Sequence, residues 1–510
     1  MKLERTKNTI RNASFGMIYK IISIIMPFFV RTVFIKKLGV EFLGLNSLFT
    51  SILTVLNLTE LGFSSAIVFC MYKPIAEDNT QEINALLALY KRVYFYIGTI
   101  ITIIGIIIIP FLPLLVKGGY PENINITVIY LIFLFNTVIS YFLFAYLGSL
   151  ISAFQREDVI SKVNIVVTTV MYIAQILILY TVKNYYAYIL ILPIFTIINN
   201  IRTAFIAKKL FPQYKAVGKI SVSLKKEIKE KVSGLLIFKI CYVSRNAFDS
   251  IFISMFLGLT DTAIYNNYYY ILNAVVGITS VLTSSVLAGA GNSVISDSVD
   301  KNYSDMNRMN FIYMWIAGWF TACMLCLYQH FMIIWVGKNL MYPFSVVVLL
   351  CCYFYVLKMG DIRYIYEQAN GLWWEYRYRS IMETLSNIIL NYLLGLFFGV
   401  YGIIIATICT LFFINYFYGA KIIFKTYFKN QSIKSYFIQN GLYALTTMIA
   451  CFVTYIITVN IPYTWTGFGT RLIISLIAPN LIFLILLYKT TTFKESFTWI
   501  KSKIRVIKKG

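Results

Sequence analysis

A set of ionisable side chains falls where an ionisable side chain is costly. Lys20, Arg31, Glu60, Lys239, Arg245, Asp249, Lys358, Asp361, Arg363, Glu367 and Glu383 all lie inside long apolar runs. A charge at the centre of a bilayer costs about 2.5–3.5 kcal/mol or more, so such a group faces a water-filled cavity or a partner. The basic members suit an anion: a guanidinium grips phosphate with two parallel hydrogen bonds, whereas an ammonium is a point donor. The carboxylates of Glu60 and Asp249 suit a proton or a small cation. Lys20 and Arg31 are 11 residues apart, about three helical turns, hence on one face and ~16 Å from each other. Each group also has a plainer role. Arg245 with Asp249, and Arg363 with Glu367, have i,i+4 spacing and could neutralise one another. Lys20 and Lys239 are shallow enough to snorkel, as is Arg31 at the other end of its run, and Glu60 could bond a neighbouring helix. Basic groups in the apolar runs outnumber acidic ones seven to five, which leans toward an anionic partner.

Other side chains could contribute. Asn266, Asn267, Asn273, Thr279 and Thr283 form a polar stripe able to bond a sugar, and Tyr265, Tyr268, Tyr269 and Tyr270 could stack on one. The tyrosines fit equally an aromatic belt at a membrane surface. Eight cysteines sit almost wholly in apolar runs, as small packing residues. A single His makes a His-based metal site untenable. No phosphate-binding P-loop, G-x-S-x-G or H-E-x-x-H motif is present. No cofactor is called for, and the short outer loops lack the carboxylates a membrane glycosyltransferase or polymerase would need, so the chain reads as no enzyme.

The elements that position these groups follow from composition. Of 510 residues, 59% are hydrophobic and only 13% charged, against about 25% charged in ordinary soluble domains. With a mean hydropathy of +0.74, this excludes a soluble enzyme, a disordered chain and a fibrous one. An all-α polytopic membrane protein remains. Fourteen runs are long enough to span: 14–35, 42–71, 93–116, 123–151, 159–181, 185–206, 233–257, 263–295, 309–336, 342–369, 380–398, 401–420, 435–459 and 467–488. The first is read as a retained helix rather than a signal peptide. With both termini placed in the cytoplasm, 32 Lys and Arg fall on that side and six on the other. That asymmetry is the positive-inside pattern. It explains the net charge of +24 without nucleic acid.

The longest polar stretch, 207–232, divides the chain after six helices, and its 223–230 stretch reads as a short surface helix. Residues 1–206 form an N-terminal lobe, 233–425 a C-terminal lobe, 426–489 two further helices and 490–510 a basic cytoplasmic tail. Lys20 and Lys239 are 219 residues apart, as are Gly39 and Gly258, each Gly followed by an acid, Glu41 or Asp261. The expectation is a parallel repeat of two six-helix lobes.

The first 70 residues carry a resemblance. Phe29-Val30-Arg31-Thr32 precedes Leu38-Gly39, then Glu41-Phe42-Leu43-Gly44-Leu45, then Leu58-Thr59-Glu60-Leu61-Gly62-Phe63-Ser64-Ser65-Ala66. This resembles the Wzx-type flippases, polysaccharide-biosynthesis exporters of the multidrug/oligosaccharidyl-lipid/polysaccharide (MOP) superfamily. The chain departs from them where Phe42-Leu43-Gly44 replaces Tyr-Gly and Glu60 replaces Asp. The resemblance implies a MATE-like fold of two lobes with helices 13 and 14 added as a lipid-tail groove. It implies flipping of an undecaprenyl-diphosphate-linked oligosaccharide, a capsule, O-antigen or exopolysaccharide unit, across the bacterial cytoplasmic membrane by alternating access. Arg31, Arg245, Lys20, Lys239, Lys358 and Arg363 would then bind substrate, and Asp249 and Glu60 would couple transport to protons or sodium. The rival within the fold is a multidrug cation antiporter, which predicts an acidic cavity. A membrane polymerase or ligase is the rival outside it.

Overall fold

The computed structural model describes residues 5–57, 63–221, 225, 228, 241 and 247–507. Among them the chain is helical, with no strand. The first half runs α1 (Arg5–Leu38), α2 (Val40–Leu56), α3 (Phe63–Ala76), α4 (Thr80–Ile108), α5 (Ile126–Phe142), α6 (Tyr146–Ala153), α7 (Glu157–Thr181), α8 (Tyr185–Leu210) and α9 (Ala247–Leu257). The second runs α10 (Leu259–Ser296), α11 (Val299–Val336), α12 (Phe344–Lys358), α13 (Asp361–Ala369) and α14 (Arg377–Cys409). A π-helical stretch, Thr410–Tyr418, leads into α15 (Gly419–Thr426), followed by α16 (Ile433–Thr458), α17 (Trp465–Leu487) and α18 (Thr491–Ile507).

Short polar side chains start several of these helices by accepting an otherwise orphaned N–H. Asn79 Oδ1 accepts from the Glu82 amide at 3.1 Å while its Nδ2 donates to Glu82 Oε2, opening α4. Asn125, Asn184, Ser298, Ser432 and Thr464 cap α5, α8, α11, α16 and α17 in the same way. Pro110 and Pro113 tighten the end of α4 into the 3-10 turn Ile109–Leu115. The outer faces are apolar at helical spacing. Leu385, Ile389, Leu393 and Leu396 of α14 are each about half exposed, a stripe that lipid tolerates and water does not.

Ten described helices are long and apolar enough to cross a bilayer, or eleven if α5 and α6 form one span bent by 55°. The bend falls at Phe144, whose φ is +57°. Fourteen spans are not reached among the described residues. The runs at 42–71 and 233–257 pass through residues outside that set and leave the shorter helices Val40–Leu56, Ile67–Ala76 and Ala247–Leu257. The surface helix read at 223–230 lies largely outside it too.

The 50 helical residues Arg377–Thr426 are not one rod. A straight helix would hold Asn387 and Thr407 about 30 Å apart, yet Asn387 Nδ2 donates to Thr407 Oγ1 at 3.0 Å. Asn415 Nδ2 likewise reaches Glu383 Oε2 at 2.9 Å. The chain reverses at Gly399, where φ 58° and ψ −134° leave the helical region. The arms then touch because Gly402 has no side chain; a Cβ there would fall 2.0 Å from the Leu394 carbonyl oxygen. These arms correspond to the runs read at 380–398 and 401–420.

The chain divides into two compact units, Met1–Ala263 and Ile264–Gly510. In the first, α1 packs along α7, and Phe34, Leu45, Leu48, Phe49 and Tyr130 are fully buried. α9 belongs here: Ser254 Oγ donates to the Leu115 carbonyl at 2.7 Å, and the Lys117 amide donates to the Ser254 carbonyl at 3.1 Å. In the second unit α11 is the central helix, packed on by α12, α16, α17 and α18. The two glycines 219 residues apart have the same local geometry. Gly39 (φ +101°) separates α1 from α2 and Gly258 (φ +94°) separates α9 from α10. An acid follows each in the first turn, Glu41 and Asp261, where it meets the positive end of the helix dipole.

Candidate functional site

Of the eight site residues expected from the sequence, Glu60, Lys239 and Arg245 lie outside the described residues. In the first unit, Lys20 is exposed on α1 among the equally exposed Met17, Ile18 and Ile21. Arg31 is half-buried on the same helix, within electrostatic reach of Tyr172 on α7 and Tyr188 on α8. The Tyr188 ring sits edge-on to Phe34 at 4.8 Å. Arg31 therefore lies where three helices of this unit converge. Asp249 on α9 is 1% exposed, beside the buried Ser250.

In the second unit the break between α12 and α13 brings charges together. Lys358, 4% exposed, donates to Asp361 Oδ2 at 2.9 Å, and the same oxygen accepts from Tyr313 OH on α11 at 2.5 Å. Arg363 is 1% exposed. Its Nε lies 3.0 Å from Glu367, while Nη1 and Nη2 donate to the carbonyls of Tyr416 and Asn415 at 3.0 and 3.1 Å. Those carbonyls belong to the π-helical stretch, whose i→i+5 pattern disturbs the regular ladder. Gly419 makes the room: a Cβ there would stand 2.3 Å from Arg363 Nη1. Glu383 adds a second buried pair, 3.7 Å from Arg379 and bonded by Asn415. The i,i+4 neutralisation of Arg363 by Glu367 is thus present, with backbone acceptors added to it.

The same unit holds a cavity of about 800 Å³ between α11, α12, the π-helical stretch and α16. Its wall is almost wholly apolar, with Phe344, Cys352, Phe412, Phe437, Met448 and Tyr455 among the lining side chains. It can take an apolar ligand and offers no counter-charge to a polar one. The tyrosine stripe of α10 is largely internal: Tyr268 is fully buried, and its hydroxyl donates to Gln329 Oε1 at 2.9 Å. Tyr265 and Tyr269 stack on each other at 5.8 Å.

Some charged groups escaped the sequence reading. Asp158 is fully buried between Arg11, Arg156 and Lys162, at 2.9, 2.9 and 3.2 Å. The i,i+4 spacing to Lys162 was a visible signal; Arg11, 147 residues away, was not. Arg471, counted among outer-side charges, is 3% exposed and donates to the carbonyls of Cys326, Val459 and Ile461. Arg379, counted with a cytoplasmic loop, is likewise buried.

No family model matches the chain, and no curated protein matches it. Solved structures do. An inward closed conformation of the lipid II flippase MurJ superposes with a TM-score of 0.69 at 15% identity, covering 93% of this chain and 98% of that one. An inward-facing multidrug resistance MATE family transporter of the MOP superfamily gives 0.63 at 13% identity, covering 81% and 99%. A MOP superfamily transporter from Pyrococcus furiosus, described as having a binding pocket of reversed polarity, gives 0.52 at 13% identity, covering 82% and 94%. The fold is therefore that of MOP-type transporters.

Proposed function

We propose that this MOP-fold chain is a flippase for an anionic lipid-linked substrate, specifically an undecaprenyl-diphosphate-linked oligosaccharide repeat unit moved between leaflets by alternating access. The observation that carries the reading is the half-buried Arg31 on a membrane helix, in a fold whose apolar segments hold more basic than acidic groups. A guanidinium kept at such cost suits a diphosphate, which it can hold bidentately. The proposed substrate-binding set is Arg31 and Arg245, with Lys20, Lys239, Lys358 and Arg363 supporting. Lys358 would exchange Asp361 for the diphosphate, and Arg363 would first have to release Glu367. The proposed coupling carboxylates are Asp249 and Glu60, toward a proton or sodium. The apolar cavity beside α16 is a candidate for part of the lipid chain. The proposed location is the bacterial cytoplasmic membrane, with both termini cytoplasmic and the capsule, O-antigen or exopolysaccharide unit as cargo.

Replacing Arg31 or Arg245 by Ala should lower glycan export while protein level and insertion hold. Arg→Lys should restore it only in part, because an ammonium cannot make the bidentate contact. Full transport by Arg245→Ala/Asp249→Ala, when each single change abolishes it, would remove Arg245 from the site. Loss of the protein should leave the lipid-linked glycan on the inner leaflet. Export of lipophilic cations by vesicles carrying the protein, with no such accumulation, would overturn the reading in favour of a cation antiporter.

A further inference from the structure

Helix α18 combines two stripes that its position puts to use. It follows the last membrane helix, α17, after only Tyr488, Lys489 and Thr490, so it starts at the membrane surface. Thr490 Oγ1 accepts from the Phe493 amide at 3.3 Å and turns the chain into it. Phe493, Phe497, Ile500, Ile504 and Ile507 recur at intervals of four, three, four and three, which places them along one line of a helix. Lys494, Lys501 and Arg505 follow a second line one residue on, directly flanking the first.

The first half of the helix is anchored to its own unit. Phe493 lies 6.1 Å from Phe311 and 6.2 Å from Trp315 on α11, and Ser496 is buried. Glu495 stands 3.8 Å from Arg308. The flank turned away from the unit is different. Phe497 is 49% exposed, Lys494 and Lys501 are exposed, and the Lys501 ammonium sits 4.5 Å over the Phe497 ring. An exposed aromatic ring bordered by cations, at the foot of a membrane span, is the arrangement of a helix that lies in the interface. The ring enters the acyl boundary while the ammonium and guanidinium groups reach up to headgroups.

We propose that α18 is a docking surface for anionic phospholipid headgroups, held in the plane of the membrane by Phe497 and bound through Lys494, Lys501 and Arg505. Charge decides the occupant: the basic line has no acidic residue on it, and Glu495, the helix's one acid, lies about 100° away around the helix and faces Arg308. A zwitterionic surface offers the ring the same apolar boundary but gives the cations no net attraction.

The test uses the full chain reconstituted in vesicles of phosphatidylcholine alone or mixed with phosphatidylglycerol. Hydrogen exchange of amides in 497–507 is the readout, which does not depend on transport. Each basic side chain near an anionic surface is worth about five-fold, so the three together should slow exchange roughly a hundred-fold in the anionic vesicles. Lys494→Gln/Lys501→Gln/Arg505→Gln should abolish that difference, with Gln keeping the helix intact. Phe497→Ser should weaken protection in both vesicle types while leaving the anionic preference. Equal exchange of the unchanged protein in the two vesicle types overturns the proposal, as does a triple variant that keeps the difference. Slowing by inorganic phosphate in neutral vesicles also overturns it, because the site would then serve a free anion and not a lipid surface.

Discussion

Arg363 shows what a membrane charge needs. Its guanidinium is buried, set against Glu367 and bonded to two carbonyls of a π-helical stretch. Breaking a buried pair from one side costs about 3–5 kcal/mol, because the partner charge is left uncompensated. Arg363→Met should therefore lower the unfolding temperature in detergent sharply, and adding Glu367→Leu should recover most of the loss. A double variant no more stable than the single one would show that the pair itself carries little. Gly419→Ala should cost about 1–3 kcal/mol, since its methyl would occupy the position of Nη1. If stability is unchanged, the guanidinium has room to move, and its release toward substrate becomes easy.

At the scale of elements, the hairpin at Gly399 is the feature that most changes how the chain is read. Its backbone angles are open to glycine and strained for any other residue, so Gly399→Ala should destabilise by about 1–3 kcal/mol. In a background lacking the eight native cysteines, Asn387→Cys and Thr407→Cys should cross-link within one chain under mild oxidation. A continuous helix would hold the pair about 30 Å apart and give no cross-link. The arms are fastened by Asn387 to Thr407 and Asn415 to Glu383. Asparagine pairs of this kind hold helices together in lipid, where apolar contact alone favours neither association nor separation.

For the whole molecule, the distribution of charge makes the strongest prediction. Reporters fused at Lys219 and at Gly510 should both read cytoplasmic, given the 32-to-6 division of basic residues. An extracytoplasmic signal from either would break the orientation and with it the proposed direction of flipping. The 219-residue repeat has a structural trace in the positive φ of Gly39 and Gly258, each set between two helices. Substituting either glycine should disturb the same kind of joint. The effect should be larger at Gly258, where a Cβ would lie 2.8 Å from the Lys117 carbonyl oxygen, than at Gly39, where it meets open space.

Class and span positions were legible in the sequence because the bilayer imposes its thickness on every crossing segment. Apolar length therefore reports a span without knowledge of its neighbours. Local chemistry was legible for the same kind of reason: Arg363 and Glu367 stand one turn apart, and Gly399 interrupts an apolar run. What a charge does once inside depended on packing. Arg11 reaches Asp158 across 147 residues, Lys358 and Tyr313 share Asp361, and Arg471 holds carbonyls of two other segments. Spacing along one helix reports partners three or four residues away and no others. The tertiary structure alone decided which intramembrane charges are already satisfied, because in lipid a charge is stabilised by whichever helix is packed beside it.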